Sequence, residues 1–256
     1  MEFFDSHAHY NDEKFVNDQE EIIKKIYEEN ITKVVVAGYN VKSSKDAVEL
    51  AKKHDFIYAI CGISPNDIGS DFEDEIRQIE ELCKNNKKIV AIGEIGLDYY
   101  WNKDNKDIQK QCFITQIELA NKLNLPIVIH SRDAFLDTID VLKNVPVNKK
   151  GIFHCCQLNQ ELVKEALNLG FYISFAGPIT FKNTKNAIDI VQMVPNEKIL
   201  IETDCPYLAP EPLRGTRNNS INVKLIAQKI ADIKGVPIEV VARFTYENAM
   251  RAFELM

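Results

Sequence analysis

At 256 residues, 45% hydrophobic and 27% charged, the chain suits one β/α barrel of about 250 residues, and no run in it approaches the ~18 apolar residues of a membrane span. A net charge of −7 excludes a polycation drawn to nucleic acid by bulk attraction, so any such contact needs a local basic patch or bound metal ions. The acidic, strand-like opening MEFFDSHAHY does not read as a signal peptide, and six cysteines without a C-x-x-C pair read as the thiols of a cytoplasmic protein rather than a disulfide framework.

Short Val- and Ile-rich runs recur at 3–6, 33–37, 57–62, 89–93, 127–130, 151–154, 171–175 and 199–203. They are nearly continuous rather than alternating, as expected of parallel strands buried on both faces. Between them, segments 19–30, 44–54, 73–86, 108–124 and 159–170 carry apolar residues at i, i+3 and i+4, and 237–256 reads as a further amphipathic helix. Asn30, Asn86, Asn124 and Gly170 follow the last periodic residue, where a left-handed cap is expected. Alternating β and α units without a linker predict one domain over 1–256, an α/β fold of the (β/α)8 barrel type, with its functional centre at the C-terminal face. An open doubly wound sheet is the weaker reading, because no glycine-rich phosphate loop follows the first strand.

Four of the five histidines stand at the ends of these runs: His7, His9, His130 and His154. So do two carboxylates, Glu94 and Asp204. Asp5, His7 and His9 alternate, which predicts one shared face pointing into the barrel. A lone histidine there is more often a hydrogen-bonded core residue than a ligand. Two at equivalent positions on adjacent strands, His130 and His154, shift that balance. Four imidazoles and two carboxylates exceed the needs of one tetrahedral ion. They suit two divalent ions about 3.5–4 Å apart that share a carboxylate, with Glu94 on the fourth strand as the natural bridge. Mixed nitrogen and oxygen donors favour Zn, Mn or Fe over Mg.

The segments FDSHAHY, GEIGLDYYW, LPIVIHSRDA, FHC, FAGPITFKN and ETDCPYLAPEPLRGTRN resemble, in order and spacing, the TatD family of metal-dependent deoxyribonucleases. The resemblance spans nearly the whole chain. It implies a two-metal barrel that hydrolyses phosphodiester bonds in DNA, with 3′→5′ exonuclease action. By motif match, His7, His9, Glu94 and Asp204 would hold one ion, and Glu94, His130 and His154 the other. Asp204 and Glu94 would be the catalytic carboxylates, with Asp204 orienting or deprotonating the attacking water. Arg132, Lys182, Asn183 and Arg217 are candidate phosphate contacts, against a bland reading as rim salt bridges. Tyr99, Tyr100 and Trp101 would stack on a base or pack a helix against the barrel.

Three motifs depart from the family pattern. G-x-H-P-H is Gly62-Ile-Ser-Pro-Asn66, H-C-F-S-G is His154-Cys-Cys-Gln-Leu158, and R-N-E-P is Arg217-Asn-Asn-Ser220. These departures predict intact metal chemistry behind an altered substrate pocket. The alternative is an amidohydrolase or esterase acting on an aminoacyl-nucleic acid or a small phosphoester. A third reading, a non-catalytic metal-bound scaffold, has no use for a full ligand set.

Overall fold

The computed structural model describes residues 1–156 and 158–256. Eight parallel strands form one sheet in the order β1 to β8. They are β1 Phe3–Ala8, β2 Ile31–Ala37, β3 Ile57–Cys61, β4 Ile89–Asp98, β5 Ile127–Arg132, β6 Gly151–Phe153, β7 Tyr172–Phe175 and β8 Ile199–Ile201. The intervening helices are α1 Gln19–Glu28, α2 Val41–Lys53, α3 Phe72–Lys84, α4 Lys106–Leu123, α5 Phe135–Asn144, α6 Gln160–Asn168, α7 Ala187–Met193 and α8 Val223–Lys234, with α9 Ile238–Ala252 at the end. This is the (β/α)8 barrel that the apolar runs predict. The last strand meets the first through Ser6 Oγ, which donates to Ile201 O at 3.0 Å, and through two backbone bonds from the segment after β8. In these, Asp204 N–H donates to His7 O at 3.0 Å and His9 N–H to Cys205 O at 2.7 Å.

The barrel interior is a compact cluster drawn from successive strands, including Phe4, Val35, Ile60, Ala91, Val128, Ile152 and Leu200. Residues Ala249, Ala252 and Phe253 join it from the C-terminal helix region, and Phe253 stacks on Phe4 with ring centroids 5.9 Å apart. The strand starts are thereby covered with apolar groups, which leaves the opposite end for polar side chains. A larger cluster joins the outer strand faces to the apolar stripes of the helices.

Local chemistry sets the helix starts. Asn40 and Ser43 form a capping box, which begins α2 three residues before the apolar period predicts. Asp71 accepts from Asp74 N–H at α3, and Asn159 from Glu161 and Leu162 N–H at α6. Asn30, Asn124 and Gly170 have the positive φ expected of left-handed caps. Asn86 does not: α3 closes at Asn85 with φ −101°, and Asn86 instead donates its amide to Leu82 O at 2.7 Å.

Among the strand ends that differ from expectation are those of β4 and β8. Glu94 does not end β4 but lies inside it, at a register shift between Ile92 and Ile95. Pairing with β5 resumes at Ile95↔Ile129 and runs on to Asp98↔Arg132. It can do so because Gly96, at φ +139°, has no Cβ to strike His130 O, which would lie 2.0 Å away. Strand β8 stops at Ile201, short of 203, and Asp204 adopts a left-handed φ of 54°.

Candidate metal centre

All six predicted ligands meet at the C-terminal mouth of the barrel. Glu94 lies between two imidazole pairs. Its Oε2 is 3.5 Å from His7 Nε2 and 3.9 Å from His9 Nε2, and its Oε1 is 2.9 Å from His130 Nδ1 and 3.2 Å from His154 Nε2. Asp204 Oδ1 is 3.2 Å from His9 Nε2 and 3.8 Å from His7 Nε2. Within each pair the facing nitrogens are 3.2 Å apart, His7 to His9 and His130 to His154. The groups His7–His9–Asp204 and Glu94–His130–His154 each bring their donor atoms within 4.8 Å of one another.

Asp5 does not join them. A register shift in β1 between Asp5 and Ala8 breaks the alternation that predicts a shared face for Asp5, His7 and His9. The Asp5 carboxylate instead accepts from Thr203 N–H at 2.9 Å, Thr203 Oγ1 at 2.5 Å and Ser220 Oγ at 2.6 Å. Burial pushes its carboxyl up to about 7 against these three bonds. Its role is to hold the segment after β8 against β1.

The electrostatics follow from six ionisable groups in a small volume. Burial penalises charge at every member, and neighbours decide the outcome. At Glu94 burial is outweighed by the charge of His154 and by hydrogen bonds from His130, His154 and His7, which hold the carboxyl well below the usual range. Asp204 is likewise buried, and His9 above all keeps it at about 2. Among the imidazoles, burial prevails only at His7, which with the charge of His154 lowers its pKa. At His9 Asp204 overcomes burial, at His130 Asp98 and Glu94 do, and at His154 Glu94 and Glu202 do, so all three are raised. The result is two anionic carboxylates facing basic nitrogens, a donor set with the mixed character that divalent transition ions take. The buried His7 Nδ1 has no hydrogen-bond partner. A donor set of this composition fits one or two such ions.

Two supporting carboxylates carry no signal in the spacing of the apolar runs. Asp98 Oδ2 faces His130 Nε2 at 3.0 Å, and Glu202 Oε1 faces His154 Nδ1 at 3.2 Å. Such partners fix the tautomer and orientation of metal-ligating imidazoles. Asn218 is a third unflagged residue. It is fully buried, and its amide donates to Thr203 O at 2.9 Å and Tyr207 O at 2.7 Å, which shapes the loop bearing Asp204.

A cavity of about 1030 Å³ opens in front of the centre. Of the four candidate phosphate contacts, only Arg132 lines it among the described residues. The Arg132 guanidinium stacks 3.9 Å from the Tyr100 ring centroid and 5.5 Å from that of Trp101. Lys182 and Asn183 are exposed on the following rim, where Asn183 accepts from Arg214 at 3.4 Å. Arg217 turns elsewhere, with its guanidinium paired to Asp18 and donating to Lys14 O at 2.7 Å. The aromatic run divides. Tyr99 is buried and donates to Asp137 of α5 at 2.6 Å, whereas Trp101 is exposed and lines the cavity.

At the first departing motif, Ser64 donates to Asp67 at 2.9 Å and Asn66 to Asp98 Oδ2 at 3.1 Å. The side chains that replace two imidazoles therefore tie the third loop to the wall beside His130. At the second, Cys155 N–H donates to Glu202 Oε1 at 2.7 Å, and Gln157 lies outside the described residues. All six cysteines are free of disulfides. No helix among the described residues is long and apolar enough to cross a membrane.

Comparison with known proteins agrees with this geometry. The chain is 44% identical over 253 residues to the uncharacterized metal-dependent hydrolase YabD of Bacillus subtilis (strain 168), covering 98% of this chain and 99% of that one. It is 32% identical over 259 residues to the uncharacterized metal-dependent hydrolase YcfH of Escherichia coli (strain K12), covering 100% and 97%. The crystal structure of YJJV, a TatD homolog from Escherichia coli K12, superposes with a TM-score of 0.94 at 22% identity, over 98% of each chain. The family described as TatD related DNase matches residues 4–254, and the chain belongs to that family.

Proposed function

We propose that the protein is a metal-dependent hydrolase of phosphodiester bonds, with DNA or a related nucleotide ester as substrate and two divalent ions at the barrel mouth. The observation that carries this reading is the placement of Glu94, which directs one carboxylate oxygen toward His7 and His9 and the other toward His130 and His154. A single carboxylate so placed suits two adjacent ions better than one. Divalent ions held there would supply Lewis-acid activation of water and of the phosphoryl oxygens.

The chain's own residues supply the rest. Asp204, kept anionic beside His9, is placed to orient a water and accept its proton. Arg132, with its guanidinium 3.9 Å over the Tyr100 ring centroid, lines the cavity and offers its charged fork to a phosphoryl oxygen. Trp101 offers an exposed ring at the cavity wall for a base.

A second reading, hydrolysis of a small phosphoester or amide, is favoured by the charge of the cavity. Asp12, Asp67, Glu94, Asp133 and Asp204 line it, with Arg132 as the one Lys or Arg side chain among the described residues there. One assay separates the two readings. Chelator-stripped protein is reloaded with Mn²⁺, Zn²⁺ or Mg²⁺ and given bis(p-nitrophenyl) phosphate, single-stranded DNA and duplex DNA in parallel. Metal-dependent cleavage of DNA supports the first reading, and cleavage of the small diester alone supports the second. Hydrolysis that survives complete metal removal overturns both.

A further inference from the structure

We propose that Glu202 is a positioning residue that couples the two halves of the centre, one of its oxygens backing His154 and the other taking up the Nδ1 proton of His7 when that ring holds an ion. The inference rests on the two-ion reading given above. Glu202 is fully buried behind the imidazoles. Its Oε1 is already engaged, facing His154 Nδ1 at 3.2 Å and accepting from Cys155 N–H at 2.7 Å. Its Oε2 has no hydrogen-bond partner, and neither does His7 Nδ1. The two buried groups are left over in one small region but do not touch, since no nitrogen of His7 comes within 4.0 Å of a Glu202 oxygen. His7, His154 and Glu202 bring ligand-type atoms within 4.8 Å of one another, and the His7 and His154 rings stack with centroids 4.1 Å apart at 18°.

The chemistry of the rings explains the pairing. Each presents Nε2 toward Glu94. An imidazole whose Nε2 lone pair is given to an ion carries its proton on Nδ1, and that proton needs an acceptor. One carboxylate has an oxygen for each. His7 belongs with His9 and Asp204, whereas His154 belongs with His130. Loading either ion therefore sets a tautomer that Glu202 reads, and fixes the carboxylate for the other ring. The ions bind with positive coupling as a result.

The test is calorimetric titration of the stripped full-length chain with Mn²⁺, alongside Glu202→Gln, with bound metal counted independently. A glutamine amide accepts from only one ring and points its NH2 at the other. Wild type should take two ions, and the variant should take the first while binding the second about 10–100-fold more weakly. Equal affinities for both ions in the two proteins overturn the coupling and leave the two-ion reading standing. Fewer than two ions in wild type overturn the two-ion reading itself and the coupling with it. A readout independent of the variant's folding is ¹⁵N-histidine NMR of the Zn²⁺-loaded wild type. His7 and His154 should both be protonated at Nδ1, with those protons slow to exchange. A deprotonated Nδ1 on either ring overturns the proposal, as it would if Glu202 were itself a ligand.

Discussion

Asp98 Oδ2 lies 3.0 Å from His130 Nε2, the ring nitrogen turned away from Glu94. The same carboxylate accepts from Asn66 at 3.1 Å and, through Oδ1, from the backbone N–H groups of Tyr100 and Trp101 at 2.9 and 3.0 Å. One buried side chain thus ties the orientation of the His130 ring to the aromatic rim and to the loop after β3. Asp98→Asn should weaken metal binding by about 10–100-fold while the barrel stays folded. Metal content after equilibrium dialysis at fixed free Mn²⁺ reports this, and an unchanged value would mean that His130 needs no such support.

Glu94→Ala removes the carboxylate whose two oxygens point between the two imidazole pairs. Loss of metal and loss of hydrolysis should therefore come together, to the limit of detection. A variant that keeps two ions would show that the carboxylate does not bridge.

The pH dependence of metal binding has a definite sign. A ligand must be deprotonated to bind, so any proton held in the metal-free state competes with the ion. Burial disfavours a charged His154, but Glu94 and Glu202 raise its pKa well above the ordinary value, and His9 and His130 are raised as well. Metal binding at neutral pH should thus release protons, and apparent affinity should fall as pH drops through the raised pKa values of these rings. Calorimetry in two buffers of different ionisation enthalpy measures the release. Identical heats in both would refute it.

Arg132 and Arg217 should behave differently in kinetics. Arg132→Ala removes the only guanidinium lining the cavity among the described residues and should lower kcat/KM on a phosphodiester by about 10–100-fold, the worth of a charged hydrogen bond. Arg132→Lys should recover little, since an ammonium cannot reproduce the planar stack on Tyr100. Arg217→Ala breaks the pair with Asp18 instead, and should leave kcat/KM within about twofold while changing stability only slightly. Steady-state rates for the three variants decide the matter.

Gly96→Ala tests the course of β4. A Cβ there would meet His130 O at 2.0 Å with φ at +139°, a conformation that costs about 1–3 kcal/mol for a non-glycine residue before the clash is relieved. The thermal midpoint should fall by several degrees. An unchanged midpoint would mean that the β4–β5 pairing at this point is dispensable.

The number of strands and the six residues that meet at the barrel mouth were legible in the chain itself. Apolar runs without polar alternation can only be buried on both faces, so eight of them separated by amphipathic segments leave few architectures besides a barrel. Scarce histidines at the ends of those runs then mark the mouth. What the chain alone could not give was which groups touch. Whether Asp5 shares a face with His7 depends on a register shift in β1, and whether Glu94 ends its strand depends on the space beside Gly96. Glu202 and Asp98 lie within motifs that mark other residues, and nothing local to them shows that they back His154 and His130. Those contacts join residues 48 and 32 positions apart in the chain. They exist because closing the sheet sets β4, β5, β6 and the segment after β8 around one axis. The amino-acid sequence chose the donors, and the curvature of the sheet chose their partners.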